Sequence, residues 1–225
     1  IDADVEINTE LGHIISNLKM THVNEVDNAD YIGNIIFTEF DLGPLLNDPK
    51  FNTTSFNLDI DGKGFTLNNL KINIKGHVFS IIYNDYSYKN LEVTGTLGNK
   101  IFNGLLISND ENFKFKFEGL ADLSKNIKSL NFKADVDFAN LRALNFVKND
   151  SLSIFKGEVT MSMKGSDIDD AYGSLNFKNT TYINENDNYY FNDFSIVSTF
   201  ENQKRTLEIN SPDIIQGNVS GNFKF

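Results

Sequence analysis

The sequence predicts an all-β protein. It is read as one elongated, curled β-sheet, a repeat-built, taco-like β-groove with a hydrophobic interior and one or two short helices. Three observations predict it. Apolar and polar residues alternate with period two along most of the chain. Amphipathic helical patterning is scarce. Short polar clusters punctuate the alternating runs, as turns between strands do.

The alternation is explicit from residue 56 onward. Phe56, Leu58 and Ile60 alternate with Asn57, Asp59 and Asp61, and Leu70, Ile72 and Ile74 with Lys71, Asn73 and Lys75. Leu91, Val93 and Leu97 follow the rule around Gly95. Phe113, Phe115 and Phe117 are separated by Lys114 and Lys116. Leu130, Phe132, Ala134, Val136 and Phe138 form the longest run. Val159, Met161 and Met163 come next, then Leu175 with Phe177, Phe194 with Ile196, Leu207 with Ile209, and Val219 with Phe223. Each run has one apolar and one hydrated face. Asp61-Gly62 and Asn103-Gly104 are hairpin-type dipeptides. Ser108–Asn112 and Asn184–Asn188 read as exposed loops, and Asn222-Phe223-Lys224-Phe225 as strand-like. At about 6–8 residues per strand and about 4–6 per connection, roughly 15–18 strands are expected.

Two stretches break the alternation in a helical manner, near 41–48 and 139–146. Each follows a strand ending in Phe, at Phe40 and Phe138, and offers a capping residue, Asp41 or Asn140. They are read as a weak internal repeat of strand, helical turn and strand. Gly76, Gly95, Gly119, Gly165, Gly217 and Gly221 fall in phase with the apolar positions. Glycine there permits a bend or a close strand approach and would curl the sheet.

Composition narrows the function. The 225 residues carry a net charge of −11, which disfavours a nucleic-acid partner, because phosphate binding needs a basic surface. There is no Cys, hence no disulfide and no thiolate chemistry. With 20 Phe, no Trp and only 3 Pro, the usage suits strands joined by tight turns. His13, His22 and His77 lack metal-ligand spacing. Asp59–Gly64 is an incomplete calcium-loop pattern read as a turn, and Asp167–Asp170 a solvated acidic loop. No nucleophile elbow, phosphate loop or dinucleotide fingerprint occurs. The chain is therefore expected to be non-enzymatic, without cofactor or metal. Starting at Ile1 without a signal peptide, it is read as one segment, 1–225, of a longer protein.

So many apolar faces with so few helices to cover them set a physical problem. The sheet must bury its apolar side on itself or leave it for a ligand. Tandem β-sandwiches, as in a binding or adhesion module, are the alternative; a transmembrane barrel would need longer strands and aromatic girdles.

At this point the residues resemble a known group. Phe37–Asp48 resembles the strand-then-helix signature of AsmA-like proteins. Ser55–Gly64, Ile101–Leu105, Phe113–Asp122, Asp169–Gly173 and Tyr182–Asp187 are similar to the TamB branch, the translocation and assembly module, in Bacteroidota. The resemblance runs from about Gly33 to Phe225. It implies a periplasmic protein with an inner-membrane anchor outside this segment, reaching toward the outer membrane. It implies a hydrophobic groove conducting phospholipid between the membranes, a link to outer-membrane biogenesis, and a partner barrel of the Omp85 type (TamA- or TamL-like). A trough that chaperones unfolded outer-membrane proteins is the alternative within that frame. Asp150-Ser151-Leu152 resembles a Bacteroidota O-glycosylation signal at Ser151.

The residues themselves argue the same mechanism. An acyl chain of sixteen carbons costs roughly 12 kcal/mol to expose to water, at about 0.8 kcal/mol per methylene. A protein carrying lipid through water must keep the tails covered and can leave the head group hydrated. The expected lining is the inward apolar set: Phe56, Leu58, Ile60, Leu70, Ile72, Ile74, Leu91, Val93, Phe113, Phe115, Phe117, Leu130, Phe132, Val136, Phe138, Val159, Met161, Met163, Leu175, Phe177, Phe194 and Ile196. The expected partners are phospholipid acyl chains.

Overall fold

The structure is a computed structural model that describes every residue except 26, 47, 67, 68, 168, 202, 203, 213, 224 and 225. It is all-β, and the chain divides into two units, 1–113 and 114–225. Unit 1 contains β1 (Asp2–Thr9), β2 (Gly12–Thr21), β3 (Asp30–Asp41), α1 (Gly43–Leu46), β4 (Phe51–Lys63), β5 (Lys71–Tyr83), β6 (Tyr86–Gly98) and β7 (Ile101–Asn109). Unit 2 contains β8 (Phe113–Asp122, its first residue in unit 1), β9 (Lys128–Asn140), β10 (Ser153–Gly165), β11 (Tyr172–Asn184), β12 (Asn188–Glu201), β13 (Lys204–Ser211) and β14 (Ile215–Gly221).

Within each unit the strands lie side by side in chain order. From β1 to β7, and again from β9 to β14, every neighbour pair is antiparallel. A sandwich needs two packed sheets, and neither unit has a second one among the described residues. The tandem-sandwich expectation is not met.

Among the described residues fourteen strands stand in place of the roughly 15–18 expected, because the strands are longer, up to 14 residues in β12. The alternation runs straight through dipeptides that look like turns. Asp61-Gly62 lies inside β4, where Gly62 sits between Tyr31 and Ile72. Asn103-Gly104 lies inside β7, with Gly104 beside Gly95. Asp59–Lys63 is likewise strand, not turn. The chain reverses instead at Asn84-Asp85 and Asn99-Lys100. Both residues of each pair have positive φ, between 48° and 64°, as a two-residue type I′ hairpin requires.

The expected loop at Ser108–Asn112 is also different. Ser108 and Asn109 end β7, and Asp110 is buried. The Asp110 carboxylate accepts hydrogen bonds from the Lys89 N–H (2.9 Å), the Asn112 N–H (2.8 Å) and the Tyr86 hydroxyl, which fastens the end of β7 to the start of β6. The expected loop at Asn184–Asn188 shrinks to exposed Glu185, Asn186 and Asp187, because Asn184 ends β11 and Asn188 begins β12. At 167–170 the Asp167 and Asp170 carboxylates accept backbone N–H groups of the same loop, while Ile168 lies outside the described residues. Ser151 is exposed and donates to Glu185.

Both helical inserts sit at the same end of their strands. In the first, the Asp41 carboxylate caps the Gly43 N–H (3.0 Å) and Leu46 N–H donates to the Leu42 carbonyl (2.9 Å), giving α1. Asn47, within the expected stretch, lies outside the described residues. In the second, the Asn140 side chain caps the Ala143 N–H (3.1 Å) and Leu144 N–H donates to the Asn140 carbonyl (3.0 Å). This stretch is a run of turns rather than a helix, and it starts after Asn140, because Ala139 and Asn140 still pair with Phe155 and Ile154. Leu144 beneath it is fully buried. Of the final run, Asn222 and Phe223 follow β14 without being strand, and Lys224 and Phe225 lie outside the described residues.

Tyr31 closes one end of β3. Its hydroxyl donates to the Gly64 carbonyl at 2.8 Å and its ring stacks on Phe65. Burial pushes the phenol from 10.0 up to about 12. Tyr86 is likewise pushed up to about 12, by burial and then by its bond to Asp110. The folded state thus keeps these phenols neutral where the unfolded chain ionises them. Their contribution is complete below pH 10 and is lost as pH rises to about 12. A denaturant midpoint followed across that window is expected to fall, and to fall less steeply in Tyr31→Phe. Parallel slopes would show that Tyr31 is not the coupled group.

Candidate functional site: the apolar face of the sheet

The period-two pattern becomes a surface only if neighbouring strands are in register, and they are. In unit 1 one row runs Ser16, Ile35, Leu58, Gly76, Val93, Leu106 from β2 to β7. The next runs Leu18, Gly33, Ile60, Ile74, Gly95, Gly104. Beyond it stand Met20, Tyr31, Gly62, Ile72, Leu97 and Phe102. On the other side lies Ile14, Phe37, Phe56, Val78, Leu91 and Ser108, with Phe37 and Phe56 stacked at 4.5 Å. A one-residue slip would turn a whole strand's apolar set to the wrong face, so this register is strongly specified.

The glycines have a definite place in these rows. Gly33 lies between Leu18 and Ile60, and Gly76 between Leu58 and Val93. Gly33 has φ +155°, and a Cβ there would collide with the Asn17 carbonyl and the Leu18 backbone. Bulky side chains on either side close over the bare backbone. Leu18, Tyr31, Ile60, Ile74 and Val93 consequently form one buried cluster, with Ile35, Leu58, Leu70, Ile72, Val78, Leu97, Phe102 and Leu106 packed around it. Leu70 joins this cluster from the loop just before β5.

Unit 2 repeats the arrangement. Its rows run Phe132, Met161, Leu175, Ile196, Ile209 and Leu130, Met163, Gly173, Ser198, Leu207, Val219. A third runs Ala134, Val159, Phe177, Phe194. Phe117 meets Phe132 at 4.9 Å and Phe177 meets Phe194 at 5.9 Å. Phe113, Phe115 and Val136 hold in-phase positions of β8 and β9, but Phe138 does not: a bulge after Val136 shifts the register, and buried Ala139 rather than Phe138 stands opposite Phe155.

Burial separates the expected set into two classes. Ile60, Ile74, Leu91 and Val93 are buried, at 6–9% exposure. The remaining eighteen are half-buried, including every one in unit 2. Among the described residues the only helix is the four-residue α1, and neither unit contains a second sheet. No helix is long and apolar enough to cross a membrane among those residues.

Arg205 is a cation that the sequence pattern does not announce. It faces Gly221 and Phe200 across the strands, is 2% exposed, and donates to the Ala171 carbonyl at 3.2 Å. Its guanidinium lies over Phe200 and Phe223, at 5.0 and 5.8 Å from their ring centres. Leu18, Tyr31, Ile35 and Phe37 also belong to the apolar face and were hidden in the sequence. Apolar Ile32 and Ile36 occupy the opposite face of the same strand and blur its alternation.

The hydrophilic face of unit 1 carries an open concavity of about 700 Å³ across β2 to β6. Its lining takes in Gly33, Ile60, Ile74 and Gly95 of one apolar row together with the outward residues on either side of that row. No family model, curated protein or solved structure matches the chain.

Proposed function

We propose that this chain is a segment of a periplasm-spanning, TamB-like protein whose apolar face conducts phospholipid between the inner and outer membranes. One observation carries the reading: two long runs of strands keep an apolar face in register, and among the described residues neither unit has a helix longer than α1 or a second sheet of its own to cover it. Half-burial of Phe115, Phe117, Phe132, Met161, Leu175 and Phe177 leaves hydrocarbon surface for a ligand to cover. Contacts of this kind are non-directional, so an acyl chain meets no single deep minimum along a row and slides. The charged head group stays in water, where it needs no partner. The buried centre of unit 1 holds the sheet together; the half-buried positions around it and in unit 2 take the lipid.

In this reading the full-length protein is anchored in the inner membrane and docks on an Omp85-type barrel. It performs no catalysis and needs no cofactor or metal. Photo-crosslinking side chains placed at Phe115 and Phe132 are expected to capture phospholipid from vesicles, whereas the same group at Lys114 or Lys133, on the exposed face, is expected to capture none. Capture confined to the lysine positions would reverse the assignment of faces.

A further inference from the structure

β14 is the last strand of unit 2, and among the described residues it pairs with β13 alone. Its other side is an open sheet edge, which presents backbone N–H and C=O groups to any strand laid beside it. Ile215 through Ser220 are all exposed, Ile215 at 53% and Val219 at 56%. Edges of this kind are commonly blunted by charge, proline or a covering loop. β14 reads Ile-Gln-Gly-Asn-Val-Ser-Gly and carries neither charge nor proline.

The order of its residues is more specific still. Ile215, Gly217, Val219 and Gly221 share the apolar side, opposite Ser211, Ile209, Leu207 and Arg205 of β13. Bulky side chain and glycine therefore alternate along the edge. An added Cβ would meet nothing within 4 Å at Gly217, and only a Phe223 ring carbon at 3.7 Å at Gly221. Within the sheet, glycines beside bulky residues of the next strand pack the apolar rows: Gly33 by Leu18 and Ile60, Gly76 by Leu58 and Val93.

We infer that β14 is a dimer seam, pairing antiparallel with the same strand of a second copy about a two-fold axis at Asn218. In that register Val219 lies opposite the partner's Gly217, and Ile215 opposite the partner's Gly221. The two reciprocal pairs follow by symmetry, so every bulky side chain on the apolar side meets a bare α-carbon. On the other side Asn218 meets its own copy and Gln216 meets the partner's Ser220, so no charge opposes another. Sliding the strand by two residues either way sets glycine against glycine and bulk against bulk. Sliding it by one sends the apolar residues to opposite faces.

The edge of unit 1 shows the opposite design. β1 carries exposed Asp2, Asp4 and Glu6 two residues apart, on one side of the strand. Self-pairing there sets carboxylate against carboxylate. Assembly through β14 uses that edge in both copies and closes at two chains. Seven residues make a short seam, so each chain folds without it and the dimer forms with concentration. The inference concerns a sheet edge and stands independently of lipid binding.

Sedimentation equilibrium of the full chain at physiological ionic strength tests it. The mass is expected to rise with concentration from 25.4 kDa toward twice that value and no further. Asn218→Asp and Asn218→Lys each set like charges face to face on the axis, and each is expected to weaken dimerisation at least about tenfold. An equal mixture of the two variants is expected to restore it. The chain has no Cys, so introduced thiols report the register without background. Asn218→Cys is expected to cross-link to its own copy on oxidation with diamide, and Ser220→Cys, facing the partner's Gln216, is not. A chain that stays monomeric at every concentration overturns the inference. So does a dimer indifferent to both charges, which would leave this edge to a strand of another sequence, or a Ser220→Cys chain that cross-links as readily as Asn218→Cys.

Discussion

Gly33→Val is expected to destabilise the chain by about 3 kcal/mol or more. The reason is geometric. Gly33 sits between buried Leu18 and Ile60 at φ +155°, where an added Cβ would run into the Asn17 carbonyl and the Leu18 backbone. A valine must push β2 away from β3 and prise open the packing of Leu18 against Ile60. Gly217→Val supplies the contrast. It also lies in phase with the apolar rows, opposite Ile209, but nothing stands within 4 Å of its would-be Cβ. That substitution is expected to change stability by no more than about 0.5 kcal/mol. Urea midpoints of the two variants compare them directly. Equal midpoints would mean that close strand approach at Gly33 is not what shapes the sheet.

A pair of charges placed on the half-buried rows has the second large effect, on lipid rather than on folding. Phe132 and Met161 are directly opposite on β9 and β10 and neither is fully buried. Phe132→Glu with Met161→Glu leaves the carboxylates access to water, so the strands survive. An acyl chain in the same row would have to strip that water, which costs well over the 1.4 kcal/mol that corresponds to a tenfold change in affinity. Uptake of a fluorescent phospholipid from vesicles is expected to fall at least about tenfold. Thr160→Glu, on the exposed face of the same strand, is expected to leave uptake unchanged. Equal loss in both chains would point to charge alone, not to the apolar surface.

Much of this architecture is legible in the residues. The alternation of Phe113, Phe115 and Phe117, and of Leu130 through Val136, identifies both strands and their faces, because a side-chain period of two is dictated by the pleat. The caps at Asp41 and Asn140 likewise announce the two inserts. What the sequence obscures has local causes. Gly62 and Gly104 sit behind Asp and Asn in pairs that elsewhere make hairpins, yet here they face the apolar interior, so strand length is underestimated. Asp110 looks like a loop residue, and only the positions of Lys89, Asn112 and Tyr86 make its burial favourable. Position on a strand separates Ile60 and Val93, buried at the centre of unit 1, from half-buried Phe132 and Leu175; their residue types do not. The outward row of Asn17, Asn34, Asp59, Lys75 and Thr94 is invisible in one dimension, since only the register lines these residues up.

The most direct test is to purify the chain from bacterial membranes without detergent exchange and weigh what comes with it by native mass spectrometry. Phospholipid bound to the folded chain at near-stoichiometric amounts, and lost in the Phe132→Glu/Met161→Glu variant, is the predicted result. A folded, lipid-free chain that takes up none when offered vesicles would contradict it, and would leave these apolar rows as an interior that satisfies only itself.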